Sequence, residues 1–116
     1  MSQDLPQDIQ QKIRNFQVLQ ANLQSLNEQK VSLEAQLKEI SSAKEYLASL
    51  QSDAVVYKSI GGLMLQASKE KAEEDLKESE EVLSTRVKKL TMTVERTQSK
   101  YDELKDEINA SLKNRT

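Results

Sequence analysis

The sequence predicts a mostly α fold: a long antiparallel two-helix coiled coil whose helices are joined by one β-hairpin that serves as an assembly element. Three observations carry it. Glycine occurs only as the pair Gly61-Gly62 and proline only as Pro6, leaving two uninterrupted arms, 7–60 and 63–116, of 54 residues each. Apolar residues recur at alternating spacings of three and four along both arms. Only 3% of the 116 residues are aromatic while 31% are charged, which suits long helices better than a sandwich, a closed barrel of its own or an α/β enzyme.

In the first arm a seam starting at Ile9 places Ile9, Phe16, Leu23, Lys30, Leu37 and Lys44 at the a positions. Lys12, Leu19, Leu26, Leu33, Ile40 and Leu47 then fall at d. Nine of these twelve are apolar, and the three lysines can lay their alkyl stems along a seam while the ammonium reaches water. Gln3, Gln10, Gln17 and Gln24 repeat every seven residues at the outer b position. Six sustained heptads are a coiled-coil signature. Pro6 and Asp8 mark the start of this helix and Ser52-Asp53 its end, so the helix is expected over 5–52.

The second arm places Glu73, Glu80, Val87, Val94, Tyr101 and Ile108 at a, and Leu76, Leu83, Leu90, Thr97, Leu104 and Ser111 at d. Ser68 can cap its start, with Glu70 favourable in the first turn, giving an expected helix over 68–114. Helices of about 45 residues would each run roughly 70 Å. A short connection forces them antiparallel, with Ile9 facing the Ile108–Leu112 end and Leu47 facing Glu73–Leu76. Lys44 then comes near Glu80 or Glu73, a pair that sets register more than it stabilises.

The connector, 54–67, holds a β-branched and aromatic run, Val55-Val56-Tyr57-Lys58-Ser59-Ile60, and an apolar run, Leu63-Met64-Leu65-Gln66-Ala67. Gly61-Gly62 between them is a hairpin signal, because a tight turn needs positive φ. A two-residue turn puts Val56, Lys58, Ile60, Leu63, Leu65 and Ala67 on one face and Val55, Tyr57, Ser59, Met64 and Gln66 on the other. Both faces are mainly apolar. A lone hairpin is marginal in water and exposed edges invite pairing, so the segment reads as an oligomerisation sheet contributed by several copies.

Charge and composition exclude much else. Net charge is −2, and both arms are close to neutral: five basic and six acidic residues in 1–52, eleven and twelve in 69–116. Neither arm offers the one-signed field that nucleic acid or an anionic membrane surface requires. Lys88-Lys89, the only basic doublet of the second arm, reads as solvated helix face. Cys and His are absent, which removes disulfides, thiolate sites, the usual general base and the commonest metal ligand. Glu73-Glu74-Asp75 and Glu80-Glu81 read as solvating charges, and Ser59-Ile60-Gly61-Gly62 lacks the residues of a phosphate loop. The expectation is a non-enzyme without cofactor or metal. No apolar run approaches the length of a membrane span, and Met1–Pro6 lacks the character of a signal peptide, so a cytoplasmic site is expected.

The hairpin Val55-Val56-Tyr57-Lys58-Ser59-Ile60-Gly61-Gly62-Leu63-Met64-Leu65 resembles that of the prefoldin family, whose hairpin reads Val-Tyr-Lys-x-x-Gly followed by an apolar run. The opening Leu5-Pro6-Gln7-Asp8-Ile9-Gln10 and the stretch Gln29-Lys30-x-x-Leu33-Glu34-x-Gln36-Leu37 are similar too, and the likeness spans essentially the whole chain. A single hairpin is the pattern of the β-class subunit, here of the archaeal type, whereas α-class subunits carry two hairpins. Gly62 stands where many relatives have another residue. The resemblance implies an ATP-independent holdase built from two α and four β chains. Their hairpins would form an intersubunit β-barrel platform, and their coiled-coil tips would bind unfolded polypeptides and deliver them to a group II chaperonin.

Residues expected to contact such clients lie near the free tip: Leu5, Ile9, Ile13, Phe16, Ile108 and Leu112, with Val18 nearby. Ile13, Val18 and Leu112 are apolar although they sit off the seam, and a frayed coiled-coil end exposes seam residues to non-native chains. Assembly is expected to rest on Val55, Val56, Tyr57, Ile60, Gly61, Gly62, Leu63, Met64 and Leu65. The alternative from another class is a structural coiled-coil tether whose hairpin merely closes the turn.

Overall fold

The computed structural model describes residues 5–114; Met1–Asp4, including Gln3 of the glutamine repeat, and the final two residues lie outside the described residues. The element order is α1 (Gln7–Ala48), β1 (Val55–Ile60), β2 (Leu63–Ser68) and α2 (Lys69–Lys113). The fold is therefore mostly helical, with two long helices joined by one two-stranded antiparallel hairpin.

Every one of the twelve seam positions read in each helix is buried or half-buried. On α1 only Gln10 and Ile13 join them, and all other side chains of that helix face solvent. The 3,4 spacing thus selects a narrow stripe on α1, while on α2 Lys69, Ala72, Asp75, Ser84, Thr91 and Thr93 are half-buried as well. The chain divides into two units, a terminal unit that runs to Lys30 and resumes at Lys89, and a hairpin unit, Val31–Lys88.

In the terminal unit the carbonyl of Pro6 accepts from the amides of Ile9 (3.1 Å) and Gln10 (3.0 Å), opening α1 where proline's missing N–H costs nothing. The Gln10 side-chain amide donates to the Leu5 carbonyl (2.6 Å) and ties down the residue before the proline. Phe16 and Tyr101, both at a positions, stack with ring centroids 4.6 Å apart. Lys12 approaches Glu107 at 3.8 Å, so its ammonium leaves the seam toward an acidic neighbour.

In the hairpin unit α1 stops at Ala48, four residues before the expected end. The amides of Ser49 and Leu50 turn to the carbonyls of Tyr46 and Leu47, each at 3.1 Å, and the Ser49 hydroxyl also donates to the Tyr46 carbonyl at 2.6 Å. These i−3 bonds tighten the last turn and take the acceptors that a longer helix would use. The Ala54 amide closes a further turn onto Gln51 (3.0 Å). Ser68 ends β2 and caps α2 together, its hydroxyl oxygen accepting from the Lys71 amide at 3.1 Å. The Lys69 ammonium donates to the Leu50 carbonyl at 2.7 Å and bridges the two ends of the connector.

Candidate functional site

The hairpin is built by its turn. Gly61 and Gly62 have φ of 54° and 84°, both in the left-handed region, so Ile60 pairs directly with Leu63. The register then runs outward through Ser59–Met64, Lys58–Leu65, Tyr57–Gln66 and Val56–Ala67 to Val55–Ser68. This pairing distributes the side chains over the two faces as the two-residue turn requires.

The faces differ. Val56 and Ala67, opposite one another, are half-buried, and Val56 lines a groove of about 630 Å3 with Tyr46, Leu47, Leu50, Ala72 and Leu76. The Val56–Ala67 end of the hairpin is therefore its less exposed end, and Leu47, 8% exposed, lines the same groove. The remainder stays in water: Tyr57 is 62% exposed, Leu63 66% and Met64 64%, with Val55, Ile60 and Leu65 also exposed. The sheet has two strands, and each strand has one edge without a neighbour among the described residues. Six large apolar side chains on an open two-stranded ribbon form the kind of surface that edge pairing removes from water.

An ionic latch sets the hairpin against α2. The Lys58 ammonium donates to the Asp75 carboxylate at 2.7 Å, and Lys71 meets the other carboxylate oxygen at 3.2 Å. The hydrogen bond from Lys58, reinforced by that from Lys71, holds the Asp75 carboxyl below its ordinary value. Lys71 is correspondingly raised, first by its bond to Asp75. Sequence reading assigned Asp75 to solvent. Lys58 and Asp75 are 17 residues apart, and only the fold of the hairpin over α2 brings them together. Deeper in the same unit Lys44 meets Glu80 at 2.9 Å, which selects one of the two seam glutamates available to it.

In the terminal unit the residues read as client contacts separate into two groups. Ile9 (5% exposed) and Ile108 (8%) are buried in the seam, and Phe16 is half-buried under its stack with Tyr101. Leu5 and Ile13 are half-buried, whereas Leu112, 38% exposed, and its neighbour in the reading Val18 face solvent. Ile13, Phe16 and Ile108 line a shallow groove of about 400 Å3. The accessible apolar surface of this unit is thus an off-seam set that includes Val18 and Leu112.

No group of three or more His, Cys, Asp or Glu among the described residues is arranged to hold a metal ion. No helix among them is long and apolar enough to cross a membrane.

Comparison with known proteins matches residues 10–115 to a family model described as "Prefoldin subunit". The chain is 38% identical over 112 residues to prefoldin subunit beta of Methanosarcina acetivorans, covering 97% of this chain and 96% of the relative. It is 34% identical over 111 residues to prefoldin subunit beta of Pyrococcus furiosus, covering 96% and 95%. Its structure superimposes on the crystal structure of the prefoldin beta subunit from Thermococcus strain KS-1 with a TM-score of 0.88 at 32% identity, over 96% of this chain and 97% of that one.

Proposed function

The chain belongs to the prefoldin family as a β-class subunit, and from that premise we propose that it is an ATP-independent holdase that works only in assembly. Its hairpin joins those of α-class subunits and further β copies, two α and four β, in an intersubunit β-barrel platform. Its coiled-coil tip holds unfolded polypeptides and passes them to a group II chaperonin. The reading is cytoplasmic and non-enzymatic, with no cofactor and no nucleic-acid or membrane partner.

One observation supports assembly above all: six large apolar side chains stand exposed on a hairpin whose edges are free among the described residues. A fully buried aliphatic or aromatic side chain contributes roughly 1.5–3 kcal/mol relative to an exposed one, so neighbouring strands have a strong drive to cover this surface. Client holding is supported by the off-seam Leu112 and Val18, which are exposed, together with the half-buried Leu5 and Ile13; Ile9, Phe16 and Ile108 would join them if the coiled-coil end opened for a client. Such contacts are apolar and non-directional, which suits clients that share no sequence.

The test combines native mass with aggregation suppression. Mixed with an archaeal α-class subunit, the chain is expected to form a hexamer that keeps a chemically denatured enzyme from aggregating without ATP. Removing 1–16 and 105–116 together should leave the hexamer intact and abolish suppression. A chain that stays monomeric or a simple dimer in that mixture is a tether, and suppression that survives the truncation sinks the tip assignment.

A further inference from the structure

The terminal unit carries a feature that apolar client holding does not use. From residue 15 to residue 27, between Arg14 and Glu28, α1 has no charged side chain. On one flank of the seam, at the b and e positions, it presents Gln10, Ile13, Gln17, Gln20, Gln24 and Asn27, a row of amides interrupted by one isoleucine. Gln10 is occupied with the Leu5 carbonyl, and Gln24 reaches Glu28 at 3.4 Å. The side-chain amides of Gln17 and Gln20 make no hydrogen bond to another described residue, and neither does that of Asn109 across the seam on α2.

These three amides rim the 400 Å3 groove whose floor is Ile13, Phe16 and Ile108. Lys105 is the one charged residue on its wall. An apolar floor with convergent polar groups is the form of a binding cleft, and this volume lies within the roughly 300–1,000 Å3 such clefts span. The chemistry of the rim narrows the occupant. A carboxamide offers two N–H donors and a carbonyl acceptor, the same groups as a peptide bond. The three amides themselves are uncharged, so they neither attract nor repel a client by its net charge. A folded helix or sheet has already paired its backbone groups, whereas an extended non-native segment has not.

We propose that Gln17, Gln20 and Asn109 hydrogen-bond the main chain of an extended client segment while an apolar side chain of that segment sits on Ile13, Phe16 and Ile108. The inference rests on client holding by the terminal unit and adds its selectivity. The groove reads the absence of secondary structure, through unpaired peptide groups, in any segment that offers an apolar side chain.

The experiment uses the assembled hexamer and two fluorescent peptides of identical side chains, alternating leucine and serine, one with ordinary peptide bonds and one N-methylated at alternate residues. The ordinary peptide should bind about tenfold more tightly, the factor that one or two net hydrogen bonds supply. In a hexamer carrying Gln17→Leu, Gln20→Leu and Asn109→Leu, the two peptides should bind within about twofold of each other, since the rim is then apolar but similar in size. Native mass and helical circular dichroism identify a misassembled variant, and single Gln17→Leu and Gln20→Leu hexamers, each with partial loss of the preference, replace it in that event. Equal binding of both peptides by the unaltered hexamer overturns the amide proposal and leaves tip holding standing. A preference unchanged by the leucines also overturns it. Binding of neither peptide overturns it together with tip holding.

Discussion

The terminal and hairpin units draw on the same seam chemistry and finish it differently. In the terminal unit the two most deeply buried seam residues, Ile9 and Ile108, are covered by the chain itself, and the aromatic pair Phe16–Tyr101 stacks in the same seam. In the hairpin unit the seam also closes, over Leu47, but the β-ribbon that follows leaves Tyr57, Leu63 and Met64 mostly in water. Two helices offer each other one stripe apiece, which suffices for a coiled coil. A two-stranded ribbon has two faces and two edges, and here only its Val56–Ala67 end is half-buried. One unit buries its seam within the single chain, and the other leaves six large apolar side chains of its ribbon exposed.

The largest effect should come from charging the open surface. Ile60→Lys with Leu63→Lys, a directly paired couple beside the turn, places like charges opposite each other and on any strand that packs there. Native mass with an α-class partner should fall from hexamer to free subunits while helical circular dichroism is retained. A hexamer that survives both lysines removes the contrast between the units.

A smaller effect is expected where the chain is already closed. Ile108→Ala deletes a buried seam side chain, and large-to-small changes of this kind cost about 2–5 kcal/mol, with helix ends at the low side because they relax into the gap. Thermal melting of the hexamer should begin earlier at the terminal unit, read by faster amide exchange over 95–113, with the hexamer mass unchanged. Exchange that rises equally across the hairpin would mean that the two units are not separable in stability.

The smallest effect concerns the latch. The folded Asp75 carboxyl titrates below its ordinary 3.8 because the protonated Lys58 and Lys71 favour its charged form. A group depressed in the folded state contributes its stabilisation above the unfolded value and loses it as pH falls through the folded one. The hairpin should therefore loosen on α2 only below about pH 3.8, and Asp75→Asn should produce the loosened state at neutral pH. Tyr57 fluorescence anisotropy would follow it, and identical acid profiles for both chains would deny the latch a role.

Legibility in the sequence followed the physics of each element. All twenty-four seam positions could be read because a 3,4 spacing of apolar side chains has one geometric solution on paired helices. The turn could be read because two adjacent glycines between β-branched and apolar runs favour positive φ at both. The end of α1 could not be placed, since Ser49 competes for the Tyr46 carbonyl with its hydroxyl, and Ser52-Asp53 carries the stronger nominal stop signal. The partner of Asp75 was invisible because its lysine arrives through the hairpin. The tip was half legible: off-seam apolar residues stood out, but Ile9 and Ile108, read from the same apolar spacing, are buried in the seam.

The glycine turn has a consequence for how this protein can drift. An added Cβ at Gly61 or Gly62 would meet nothing within 4 Å, so space imposes no limit there and backbone handedness imposes all of it. The alphabet open to descendants at these two sites is short: glycine first, then asparagine and aspartate, which enter the left-handed region at modest cost. β-Branched residues, frequent in the preceding strand, are shut out. Two adjacent codons thus tolerate few substitutions at positions with room for any side chain.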